Sequence, residues 1–370
     1  MECKSILDLP LDIKLDFLSS LDSVTCLRKV LHREIGIAGR ALVRMRRFKA
    51  NKTEAELIEA LPSTEDEKPE SPQAYLSELL SVRRPVRFFS RLFFQTRFRN
   101  RRVRFQSSIR LEDILEDMET VTDSEYARVD EAYYTIWLYR ELNYNVELRS
   151  FQHVTAINEW AFWKKDGSLQ VVPDLGILSH VLRVTSLEII YPHVLQYHQT
   201  LSQEELETIA TVVDALCLYE KHGVASMLIT QLGFDGLQEV LEISGERMRE
   251  TISNIYWNPV RADLAGGSIS NSITQFPTLI TNFWHFIEPT YQTDIRRVWR
   301  YPGGVYRRYV APWNQYPPFD ITALVWDDKR LESWGYVYPM GTKDSHCEYD
   351  MALEEQMCAG DCSVIGCAAP

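Results

Sequence analysis

The chain has 370 residues, 45% of them hydrophobic and 25% charged, with a formal net charge of -12. That is enough apolar material for a sizeable core and two or three structural units, and the charged fraction excludes global disorder. The acidic balance argues against a general nucleic-acid coat protein, because backbone phosphates would be repelled overall.

The opening MECKSILDLPLDIKLDF places acids inside its apolar stretch and lacks the uninterrupted core of a signal peptide. Leu9, Ile13, Phe17 and Leu21 recur every four residues with Leu18 alongside, which predicts one apolar stripe on a helix. Pro10 suits the first helical turn, where its missing N–H costs nothing. Asp22 and Ser23 then offer an N-cap for a second helix carrying Val24, Leu27, Val30 and Leu31. Gly36 and Gly39 are expected to loosen the chain beyond that second helix. Residues 62–73, PSTEDEKPESPQ, have three prolines, many acids and no large apolar side chain, so they read as a flexible linker.

An arginine-dense segment comes next, with Arg83, Arg84, Arg87, Arg91, Arg97, Arg99, Arg101, Arg102 and Arg104 interleaved by Phe88, Phe89, Phe93, Phe94, Phe98 and Phe105. Arginine with aromatics can grip phosphate backbones and stack on bases, or lie on an anionic membrane or a partner. The nine acids between Glu112 and Glu131 offer a third outcome, neutralisation within the fold.

The remainder reads as mainly helical. Thr122 with Glu125 makes a capping-box pattern ahead of Tyr126, Val129, Tyr133, Ile136 and Trp137. Ser202 with Glu205 repeats it ahead of Leu206, Ile209, Val213, Leu216 and Cys217, with Gly223 closing that helix. A further helix is expected over Gly236–Ile243, long loops between Asn258 and Pro318, a short strand over Ile321–Trp326, and a helical turn around Arg330–Trp334. The uncharged stretch from Leu264 to Ile287 contains Gly266, Gly267, Asn271, Gln275 and Pro277, too polar and broken to span a bilayer. The fold class is therefore mainly α: a small N-terminal helical module at 1–48, a helix and acidic, proline-bearing linker at 49–73, a larger irregular helical domain at 74–338, and a disordered tail at 339–370.

Seven cysteines, an odd number, fit reduced thiols and an intracellular location, cytoplasmic or nuclear. Cys358, Cys362 and Cys367 are spaced C-x3-C-x4-C near His346 and Cys347, short of the paired C-x2-C knuckles that suit zinc, so no metal and no cofactor is expected. The final Cys367-Ala368-Ala369-Pro370 departs from a prenylation box at its last residue. No G-x-S-x-G, P-loop, G-x-G-x-x-G or H-E-x-x-H is present, and His193 and His198, five apart, read as ordinary surface or packing residues. Catalysis is not expected.

The segment ILDLPLDIKLDFLSSLDSVTCLRKV resembles the F-box family: a Leu-Pro pair opening an amphipathic helix, a Leu-Asp turn, then a second apolar-faced helix. The stretches TDSEYARVDEAYYTIWLYREL, YEKHG and VWDDKRLESWG are similar, more diffusely, to large uncharacterised fungal proteins with F-box-like starts. The resemblance implies an adaptor that docks on a Skp-type protein of a cullin ubiquitin ligase and presents an unknown protein substrate. Leu9, Pro10, Ile13, Phe17, Leu18, Leu21, Val24 and Leu27 would form the docking face. A nucleic-acid-binding protein using segment 83–105 is the alternative.

Overall fold

The computed structural model describes residues 31, 34–51, 72–105, 110–145, 150–151, 155–162, 175–215, 223–243, 245–264 and 324–334. The chain divides into two compact units, Met1–Tyr291 and Gln292–Pro370. The architecture is mainly α. Among the described residues of the first unit the helices are α1 (Gly36–Asn51), α2 (Pro72–Phe105), α3 (Leu111–Glu119), α4 (Asp123–Asn143), α5 (Thr155–Phe162), α6 (Leu175–Val184), α7 (Tyr191–His198), α8 (Gln203–Ala215), α9 (Gly223–Ile243) and α10 (Gly245–Leu264). A two-residue antiparallel ladder, β1 (Tyr144–Asn145) with β2 (Ser150–Phe151), comes after α4.

Helix α4 is the axis of the unit, with α1, α2, α5, α6 and α9 packed around it. Its sequence lets it serve that role, because from Ala132 to Arg140 every residue is buried and a helix covered on all sides needs packing groups all round. The capping box that starts it forms as the sequence predicts. Thr122 Oγ1 accepts from the Glu125 N–H at 3.2 Å, and the Glu125 carboxylate accepts from the Thr122 N–H at 3.0 Å. The same device opens α8, where Ser202 N–H donates to Glu205 at 2.8 Å and Glu205 N–H donates to Ser202 Oγ at 3.3 Å.

The core at the α2–α4–α9 junction is aromatic. Phe234 lies edge-on to Phe89 and Tyr133, each at 5.2 Å between ring centres, and to Trp137 at 6.0 Å. Such edge-to-face pairs set the positive ring edge on the negative ring face. Phe234 reaches this position because α9 breaks at Gly233, whose φ of 69° and ψ of 178° belong to a region essentially reserved for glycine. The sequence pattern predicts a helix only over Gly236–Ile243 and has Gly223 end the preceding one. Gly223 instead begins α9, and the helical stretch before the break is hidden in the sequence because Gly233 interrupts its periodicity.

Three further expectations change. The two glycines expected to loosen the chain after the F-box-like pattern instead lie in α1, whose first residue, Gly36, has φ 68°. No acid lies in the first turn of α1, and Glu131 from α4 fills that place by accepting from the Ala38 N–H at 3.2 Å. The boundaries at 48 and 73 fall inside α1 and α2, where Pro72 takes the first helical position; residues 52–71 lie outside the described set. Beyond Asn258 the chain stays helical to Leu264, the rest of that stretch to Pro318 lying outside the described residues.

Between α6 and α7 the helix widens into a π-helical segment, Thr185–Ile190, a form usually confined to single turns. Pro192, just past it, has no N–H to give to the ladder. Thr185 Oγ1 donates to the Val181 carbonyl at 2.8 Å and lies 2.6 Å from the Tyr133 hydroxyl, tying the segment to α4.

In the second unit, α11 (Asp328–Ser333) comes after a short 3-10 turn at 324–325, so the described part of the stretch expected as a strand, Ile321–Trp326, is not extended; residues 321–323 lie outside the described set. Asp327 in the N-cap position with extended backbone, and Asp328 in the first turn, start a helix there. Trp326 packs edge-on to Trp334 at 4.9 Å, with Arg330 over both rings.

Candidate interaction surface

The docking face inferred from the resemblance, Leu9, Pro10, Ile13, Phe17, Leu18, Leu21, Val24 and Leu27, lies outside the described residues, as do all seven cysteines and the tail after 339. The structure takes up the chain at Leu31, fully buried, one residue past Val30.

The arginine segment is one face-sorted helix. Helix α2 turns Phe89, Phe93, Phe94 and Phe98 into the core, so the rings that the nucleic-acid alternative would use for stacking are enclosed; Phe88 is half-buried. A period of 3.6 explains the sorting: residues adjacent in sequence point about 100° apart, so interleaving along the chain separates groups in space.

The arginines divide in two. Arg87 donates to the buried Asp130 at 3.0 Å and lies 3.8 Å from the centre of the Tyr126 ring. Ser90 also donates to Asp130, at 2.5 Å, so one carboxylate joins α2 to α4 twice. Arg83 pairs with Glu34 at 2.6 Å, while Glu188 on the π-helical segment takes Arg97 at 3.6 Å and Asn100 at 2.5 Å. Internal pairing thus occurs, though Glu34 and Glu188 lie outside the acidic stretch 112–131. Arg101 is half-buried; the side chains of Arg102 and Arg104 lie outside the described set.

Arg84, Arg91 and Arg99 form the second group. All three are exposed and, spaced seven and eight residues apart, lie on one face of α2. Near Arg84 the face borders an open groove of about 290 Å³ lined by Ser81 and Pro85 of α2 and by Asp235, Gln238, Glu239 and Glu242 of α9.

Beside α2 lies α3, LEDILEDME, which in the sequence stands out only as a source of acids. It buries Ile114 but leaves Leu111 60% and Leu115 46% exposed, next to exposed Glu112, Glu116 and Glu119. The legible signal is the i, i+4 pair of leucines among the acids.

Burial shifts several titratable groups from their ordinary values. Burial pushes the carboxyls of Asp130 and Glu131 above the ordinary range, partly offset at Asp130 by Arg87 and Ser90 and at Glu131 by the Ala38 N–H. His180 sits edge-on to Phe93 at 5.5 Å, and burial, with Arg97 and Arg183 nearby, holds its pKa well below the usual value. His198 Nε2 lies 2.8 Å from the Tyr256 hydroxyl, a packing role joining α7 to α10. Among the described residues no group of three or more His, Cys, Asp or Glu is placed to hold a metal ion, and no helix is long and apolar enough to cross a membrane.

Compared with known proteins, the chain matches no family model, no curated protein and no solved structure.

Proposed function

We propose that this protein is a non-catalytic adaptor of the F-box type, acting inside the cell by holding a Skp-type partner at its N-terminal segment and a protein substrate on its helical body. The observation that carries the reading is the Leu9, Pro10, Ile13, Phe17, Leu18, Leu21 pattern, with Leu31 ten residues on and α1 beyond it packed into the body. A partner gripped by Leu9 to Leu27 would be joined to that body by a few residues, which keeps it close to anything the body binds. Leucine, isoleucine and phenylalanine are the groups such a grip needs, each contributing about 1.5–3 kcal/mol on burial before the costs of association.

The body's arginines and carboxylates tie α1, α2, α4 and α9 to one another, through Arg87 with Asp130, Arg47 with Glu78 and Arg46 with Asp235. A nucleic-acid reading of segment 83–105 draws less support, since four of its phenylalanines are buried and three of its arginines already hold carboxylates.

A pull-down of a purified Skp-type adaptor tests the reading. The wild-type chain should retain it, and a folded Leu9→Ala, Pro10→Ala double variant should lose it. Failure of the well-folded wild type to retain the adaptor would sink the ligase reading.

A further inference from the structure

The exposed faces of α2 and α3 carry opposite charge at matching intervals. From Ser81 to Phe105, α2 contains no acid, and its outer face presents Arg84, Arg91 and Arg99 over about 22 Å at 1.5 Å per residue. Half-buried Phe88 and Leu92 border that row. The outer arc of α3, about 140° wide, holds Leu111, Leu115, Glu112, Glu116 and Glu119. Glu112 and Glu119 are seven residues apart, a rise of about 10 Å, against about 10 Å from Arg84 to Arg91 and about 12 Å from Arg91 to Arg99. Both faces remain exposed with α3 packed beside α2; Arg84 also borders the α9 carboxylates Asp235, Glu239 and Glu242, and Glu116 lies within electrostatic reach of Arg110.

We propose that the occupant of each face is a second copy of this chain, with α3 of one copy laid along the arginine face of α2 in the other, and the reverse contact made by the same two-fold axis. An isologous dimer forms both contacts at once. The glutamates of α3 meet the arginines of α2, and Leu111 and Leu115 are covered against the Phe88–Leu92 border. Charge selects the register and the leucines supply the apolar burial. The net charge of -12 opposes approach of two copies, but that long-range repulsion is screened beyond about 8 Å at physiological salt, whereas pairs in contact and partly buried are screened much less. The same net charge and the buried phenylalanines make a polyanion the less suitable occupant.

Charge reversal tests this on the full chain. One variant carries Arg91→Glu and Arg99→Glu. The other carries Glu116→Arg and Glu119→Arg, sparing Glu112, which favours the N-terminal end of α3. Sedimentation across a concentration series should show wild type moving from one chain towards two, and each variant associating about tenfold or more weakly. An equimolar mixture of the two variants should regain the dimer, because each then offers the charge that the other lacks; that recovery also shows both variants fold. Association of the wild type should weaken as salt rises from about 0.1 M to about 1 M. A wild type that stays monomeric throughout overturns the proposal, as does a reversed variant that dimerises unchanged, or a mixture that stays monomeric. Monomeric wild type that binds random-sequence single-stranded DNA through Arg91 and Arg99 would give the face to nucleic acid instead.

Discussion

At the scale of the residue, the molecule turns on Gly233. A Cβ there would lie 3.0 Å from Asp235 Oδ1 and 3.3 Å from an Arg140 guanidinium nitrogen, on a backbone that side chains rarely adopt. Arg140 cannot give way cheaply, because it donates to the carbonyls of Thr230 at 2.9 Å and Gln231 at 3.0 Å, which end the first half of α9. Gly233→Ala should therefore cost about 1–3 kcal/mol, read as a lowered midpoint in thermal or urea unfolding. Gly236, three residues on and without a positive φ, would meet only the Leu232 Cβ at 3.4 Å, so Gly236→Ala should be neutral or mildly stabilising. Shifts of the same sign in both variants would remove the backbone argument. Asp130 gives a second test. Burial raises its folded pKa above the ordinary 3.8, so below that value both states are protonated and its contribution is fully present. As pH rises, the unfolded chain releases the proton first, and stability falls until the raised folded pKa is passed. The stability advantage of wild type over Asp130→Asn should shrink as pH rises from about 4 through the raised folded value. A difference that grows with pH would show that Arg87 and Ser90 outweigh burial.

At the scale of the element, what was legible stems from locality. The capping boxes at Thr122–Glu125 and Ser202–Glu205 are satisfied within four residues, so their sequence pattern suffices to place the start of a helix. The helical nature of α4 was readable from Val129, Tyr133 and Ile136, while its burial on every side was not, since that depends on α1, α2, α6 and α9 arriving from elsewhere in the chain. The arginine segment shows the same limit. Its sequence promised cations and rings together, and the helix sent the rings inward and left Arg84, Arg91 and Arg99 outside. Which arginines would be neutralised could not be read from nearby acids, because Arg83 and Arg97 pair with carboxylates 49 residues before and 91 residues after them, at Glu34 and Glu188. The start of α1 was hidden for a similar reason: the acid at its N-terminus is Glu131. The strand expected at Ile321–Trp326 was an apolar run too short for periodicity to decide between strand and turn.

At the scale of the whole molecule, the placing of α1 decides how the N-terminal segment is coupled to the rest. A self-contained module ending at residue 48 would open and close independently of the body. Instead, α1 packs along α4, with Leu42 and Met45 buried and Arg46 reaching Asp235 at 2.6 Å and lying over the Trp137 ring at 5.1 Å. Amides in cooperative units exchange through shared opening events. The amides of α1 and α4 should therefore show matching opening free energies in native-state hydrogen exchange. Gly36→Val offers the perturbation, since a Cβ at Gly36 would fall 2.2 Å from the Glu131 carboxylate on a positive-φ backbone. It should lower protection in both helices together, because displacing Glu131 disturbs the α4 side of the contact and removes the acceptor of the Ala38 N–H. Loss of protection confined to α1 would mark it as a separate folding unit, leaving a partner held at Leu9–Leu27 only loosely coupled to the body. Loss in both would mean that a load on the N-terminal segment is borne by the same core that holds Phe234, Trp137 and Tyr133 together.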